Sequence, residues 1–117
     1  MARKVKTATS QSAPDPLIDA FLQAISAMRA SSVNTLAAYR RDLLDCQAGL
    51  EAQAKALATC DIDDLRAVIV WWHQRHLASR SVARRLSALR QFMGWAVEDG
   101  IRQDNPTLWL DIPSLPA

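Results

Sequence analysis

From Ser79 to Val97 the apolar residues recur at helical spacing, and this run places a helix, not a strand, at the centre of whatever the chain folds into. At about 100° per residue, Val82, Leu86, Leu89, Met93, Ala96 and Val97 fall within roughly one third of the helix circumference. Ser79 or Ser81 can begin the helix, and Gly100 is suited to the C′ position at its end. Arg80, Arg84, Ser87 and Gln91 fall almost diametrically opposite the stripe, with Arg85 and Arg90 on its flanks, and no acid appears before Glu98 and Asp99. A helix that buries one side and offers arginine, serine and glutamine on the other suits a DNA major groove. A solvated helix face carries the same pattern, and this segment alone leaves both readings open.

The rest of the chain repeats the helical period. Asp15 caps and Pro16 opens a first helix with a core stripe of Leu17, Phe21, Ala24, Ile25 and Met28, widened by Ile18 and Leu22. Ser31 or Ser32 caps a second, running to about Ala52. Its buried side is Leu36, Tyr39, Leu43 and Leu50, with Leu44 at the margin and Asn34, Ala38, Arg41 and Asp45 opposite. Residues 53–60 connect it to a third helix, roughly 62–77, capped by Asp61. That helix has an inner stripe of Leu65, Val68, Ile69, Trp72 and His76, with Trp71 off the stripe beside Arg75. After Gly100, Asn105-Pro106 starts a turn or short helix in which Leu108, Trp109 and Leu110 fold back onto the core. No segment has strand period. The expected fold is all-α: four helices with short connections and a short extra C-terminal turn or helix.

Charge is distributed unevenly. Of fourteen Lys and Arg residues, three lie in residues 1–14 and four in residues 79–97, leaving seven to face all twelve acids elsewhere. Local basic surfaces on an acidic body point to a polyanionic partner with a defined docking side. Residues 1–14 are expected to form a flexible basic arm, residues 15–112 one helical domain, and residues 113–117, with their two prolines, the start of a linker.

Catalytic and metal chemistry find no support in these residues. His73 and His76 lack a third ligand on their face and read as a core or rim pair. Asp61, Asp63 and Asp64 cluster at a helix start, where carboxylates cap free N–H groups. No phosphate loop or nucleophile elbow appears. Cys46 and Cys60 lack metal-like spacing and read as reduced, structural thiols. No apolar run reaches transmembrane length and no secretory h-region is present, so the expected location is cytoplasmic. No cofactor, metal, membrane or small-molecule substrate is implied.

Two stretches together resemble a known family. NTLAAYRRDL at 34–43 and SRSVARRLSALRQFMGWAVEDGIRQDNP at 79–106 are similar to the N-terminal SAM-like, core-binding domain of tyrosine recombinases and phage integrases, of the XerC/XerD-like type. The resemblance implies that double-stranded DNA is gripped by the second and fourth helices. It also implies a separate C-terminal catalytic domain, absent from this chain, that performs strand exchange in a synaptic tetramer of recombinase subunits. By position, the DNA-facing residues are Asn34, Thr35, Arg40 and Arg41 on the second helix. On the fourth they are Arg80, Ser81, Arg84, Arg85, Ser87, Arg90 and Gln91, with Arg84 and Gln91 having the reach for base edges. Tyr39, the single tyrosine, matches a structural position and not the nucleophile. Arg41 could instead pair with Asp45, and Arg40 with Asp42 or Asp45.

The competing reading is a helical protein–protein interaction module without a DNA role, in which Ile18, Leu22, Trp71, Trp95 and Trp109 supply exposed anchors. A helix-turn-helix regulator would need a compact turn between paired helices that is not evident.

Overall fold

The computed structural model describes residues 13–29 and 32–110. Most of the expected basic arm, the candidate cap Ser31 and the expected linker at 113–117 lie outside those residues. Among the described residues four helices follow in order, α1 (Pro16–Arg29), α2 (Val33–Glu51), α3 (Ile62–Gln74) and α4 (Ser79–Glu98), then a 3₁₀ turn at Pro106–Trp109. The fold is all-α, as expected for a SAM-like helical domain.

Side-chain caps set several helix starts. Asp15 Oδ1 accepts the Leu17 N–H at 2.9 Å, and Ser32 Oγ accepts the Thr35 N–H at 3.1 Å. At α3, Asp61 and Asp64 form a reciprocal capping box, and Lys55 lies 2.9 Å from Asp64. Backbone N–H donation and the lysine together hold the Asp64 carboxyl below its ordinary value. Asn105 Oδ1 caps the 3₁₀ turn through the Thr107 N–H.

The ends of α2, α3 and α4 share one device. Lys55, Leu77 and Ile101 donate backbone N–H groups to Leu50, Trp72 and Ala96, six-residue closures that each need one left-handed residue. Those residues are Ala54 (φ 58°), His76 (φ 60°) and Gly100 (φ 77°). His76 is thus an exposed turn residue, not part of the inner stripe, because α3 stops at Gln74 before its helical period can reach that far.

α2 packs against all three other helices, most extensively against α4. The core between them holds Ile18, Phe21, Leu43, Leu50, Leu65, Val68, Trp72, Leu86, Leu89, Phe92 and Met93. Ile18 is fully buried, whereas Met28, at the far end of α1, is exposed beyond the core. In the 53–60 connection, Leu57 and Cys60 are buried. Arg102, its side chain only 7% exposed, fastens this connection to the end of α4, donating to Cys60 O at 2.7 Å and Leu57 O at 2.9 Å. Of the C-terminal trio only Leu110 joins the core; Leu108 and Trp109 stay exposed.

Candidate nucleic-acid interface

At the seam between α2 and α4, three of the predicted site residues, Arg84, Arg85 and Gln91, meet side chains of α2. Tyr39 faces the later part of α4, where its hydroxyl accepts a hydrogen bond from Gln91 Nε2 at 3.0 Å. Asp42 and Asp45 face the earlier part, so the two helices run past each other in opposite senses. Arg84 forks onto Asp42, Nε to Oδ2 and Nη2 to Oδ1, both at 3.0 Å. The Asp42 side chain is fully buried, while that of Arg84 is 49% exposed. These hydrogen bonds and the facing charge push the Arg84 guanidinium further above its ordinary value.

Asp45 is a second hub. It accepts Arg75 Nη1 at 2.9 Å and Arg85 Nε at 3.0 Å. The Arg75 guanidinium also lies 4.4 Å from the Trp71 ring, the neighbour expected from their spacing. Arg85 is mostly buried and additionally donates to Ser81 O at 3.4 Å. Arg40 turns to α1 and pairs with Asp19 at 2.9 Å.

Arg84 and Gln91, expected to have the reach for base edges, are also engaged within the protein, because α2 packs on the side of α4 that a single-helix projection leaves open. The alternative pairing of Arg41 with Asp45, or of Arg40 with Asp42 or Asp45, does not form, since Arg84 of α4 takes Asp42 while Arg85 of α4 and Arg75 just past α3 take Asp45. Asn34, Thr35, Arg41, Arg80, Ser87 and Arg90 are exposed. Thr35 is engaged at the start of α2, where Ser32 Oγ donates to its hydroxyl at 2.9 Å. Arg41, Arg80 and Arg90 have no ion-pair partner among the described residues. Arg80, Arg84 and Ser87 follow one another along α4 at i, i+4 and i+7, and Asn34, Ala38 and Arg41 do so along α2. Arg90 lies about a quarter of a turn away round α4.

The start of α4 also differs from α3. Its N-cap is Ala78, with no side-chain cap and no acid in the first turn, so neither Ser79 nor Ser81 acts as N-cap. The first-turn N–H groups, including that of the half-buried Ser81, keep their positive partial charge without a carboxylate to quench it. In the sequence Asp42 and Asp45 figure only as partners within α2, for Arg40 and Arg41, and not for arginines of α4. Two acids three apart beside the small residues Ala38 and Gly49 are the signal that could have found them.

Other candidates resolve differently. Trp95 packs on Phe21 and Phe92 at 5.8 and 5.7 Å, and Leu22 and Trp71 are partly buried against the core. Of the proposed protein-binding anchors only Trp109 is fully at the surface. His73 and His76 are exposed, and no group of three or more potential metal ligands occurs among the described residues. Burial raises both the Cys46 and the Cys60 thiol above the ordinary value, the latter opposed by Arg102. No helix among the described residues is long and apolar enough to cross a membrane.

The model of the phage integrase N-terminal SAM-like domain matches residues 18–100. The chain is 41% identical over 96 residues to the tyrosine recombinase XerD of Rhizobium meliloti, covering 82% of this chain and 31% of that protein. It is 44% identical over 98 residues to the tyrosine recombinase XerC of Erythrobacter litoralis, covering 84% and 30%. With the tyrosine recombinase XerD of Pseudomonas aeruginosa the identity is 36% over 100 residues, covering 86% and 34%. The chain thus spans about a third of the length of these relatives. No solved structure matches. Four helices in this order, with the match over most of their length, make the chain a member of the phage integrase N-terminal SAM-like domain family.

Proposed function

We propose that this chain is the DNA-gripping domain of a site-specific tyrosine recombinase, holding double-stranded DNA at a recombination site for strand exchange by a separate catalytic domain. One observation carries the reading. Arg41 on α2 and Arg80 on α4 are exposed and without an ion-pair partner among the described residues, and the half-exposed Arg84 joins these two helices through Asp42. Most such contacts go to phosphates and set register; base edges are left to few side chains. The uncapped first turn of α4 adds backbone N–H groups beside Arg80. In the assembled protein, further recombinase subunits would complete a synaptic tetramer.

Anisotropy titration of a labelled duplex at several salt concentrations tests the reading. With about four phosphates neutralised, log K against log salt should slope by roughly −3.6. Arg80→Ala combined with Arg84→Ala should remove most of the binding. Salt-insensitive binding, or affinity unchanged in that double variant, would sink the reading. A second reading, a protein-interaction module, rests on the exposed Leu108 and Trp109 beside a cleft of about 450 Å³ with Val97 and Gly94. It predicts the reverse: Trp109→Ala abolishes partner binding and the arginine variants are silent.

A further inference from the structure

We infer that Asp42 is a positioning residue for nucleic-acid contact: from inside the core it orients Arg84 so that the remaining N–H groups of the guanidinium lie along the α2–α4 seam. The inference rests on the DNA-gripping reading and adds to it a residue that would never touch DNA. Its basis is an asymmetry within one ion pair. Both Asp42 oxygens are used, at 3.0 Å each, by Nε and Nη2 of a single guanidinium. The carboxylate is fully buried and the arginine side chain is 49% exposed. Nη1 of Arg84 and the second hydrogen of Nη2 have no partner among the described residues.

The neighbouring hub is arranged differently. Asp45 is shared between Arg75 and Arg85, whose side chains are 37% and 13% exposed. At Asp42 one carboxylate holds one arginine by its fork, one turn from the unpaired Arg80 on the same line of α4. A guanidinium fixed at one edge loses little further freedom when a phosphate takes the other edge. An ammonium at the same position would carry the charge without the second edge.

The sign of the effect separates this role from bulk electrostatics. Asp42→Asn makes the domain more positive by one charge, so Coulomb attraction alone would tighten binding to a polyanion. Positioning instead predicts that affinity for a mixed-sequence duplex falls about tenfold and that the salt slope becomes shallower by about 0.9, one phosphate contact. Arg84→Lys keeps net charge and should weaken binding similarly, so the test survives if Asp42→Asn fails to fold. Circular dichroism establishes folding before each titration. A folded Asp42→Asn variant that binds as tightly as the parent or tighter, or an Arg84→Lys variant with parental affinity and slope, overturns the inference. If the parent chain itself shows no salt-dependent binding, the DNA-gripping reading falls first and this inference with it. Normal parental binding with unaffected variants removes the inference alone.

Discussion

The two halves of α4 share one apolar stripe and differ in what packs on its second flank. From Ser79 to Gln91 the flank is polar: Arg84 and Arg85 reach across to Asp42 and Asp45 of α2. From Phe92 to Glu98 it is aromatic. There Phe92 meets Phe21 edge-on, with centroids 5.6 Å apart and planes at 77°, and Trp95 closes the cluster. Both halves bury their stripe, so the stripe alone does not distinguish them. The second flank does: the aromatic half is scaffold, and the polar half combines attachment with display of charge.

The largest expected effect lies in the aromatic half. Phe92 is fully buried between Phe21 and Trp95. Phe92→Ala should destabilise the domain by about 3–5 kcal/mol, lost burial plus a cavity that rigid aromatic neighbours cannot close. Chemical denaturation measures it. A loss comparable to that of a surface substitution would mean that the cluster is not the scaffold and would erase the contrast between the halves.

The polar half should respond less in stability and unequally along its length. Arg84→Ala strands the buried Asp42 carboxylate, and a cost of about 2 kcal/mol is expected, below the usual figure for a broken buried pair because half of the arginine side chain is solvated. Arg80→Ala, one turn earlier and exposed, should stay within about 0.5 kcal/mol. The two melting curves, compared with the two DNA titrations, separate an arginine that both fastens and displays from one that only displays. Equal stability losses would show that the seam does not discriminate between them.

How much of this was legible depends on whether the cause is local. Asp15, Ser32, Asp61 and Gly100 mark helix boundaries because capping acts within a turn of its own residue. The stripes of α2 and α4 were legible because burial follows a period of 3.6. His76 was misplaced because the period was carried past a helix end. The partners of Arg84 and Gln91, Asp42 and Tyr39, lie 42 and 52 residues away in sequence, beyond the reach of a helical period. A helical projection knows one helix; it cannot say that α2 covers a flank of α4 and brings two aspartates with it. Met28 differs from its place in the stripe for a related reason, since which end of α1 lies over the core is set by the crossing of α1 with α2 and α4. The resemblance in NTLAAYRRDL and the fourth-helix segment carried the fold, but it could not show which arginines the aspartates hold.

The smallest effect tests the aromatic half from outside. Gly94 sits inside α4, and a Cβ built there meets nothing within 4 Å. Gly49 of α2 is the opposite case, with the Trp71 ring at 2.9 Å. Gly94→Ala should therefore stabilise by about 0.5–1 kcal/mol, since alanine restricts the unfolded chain and favours the helix without a clash. If the later half of α4 is scaffold only, the same variant should bind DNA as the parent does. A stabilised variant with weakened binding would place a nucleic-acid contact on the Gly94 face and move the boundary between the two halves toward the C-terminal end of the helix.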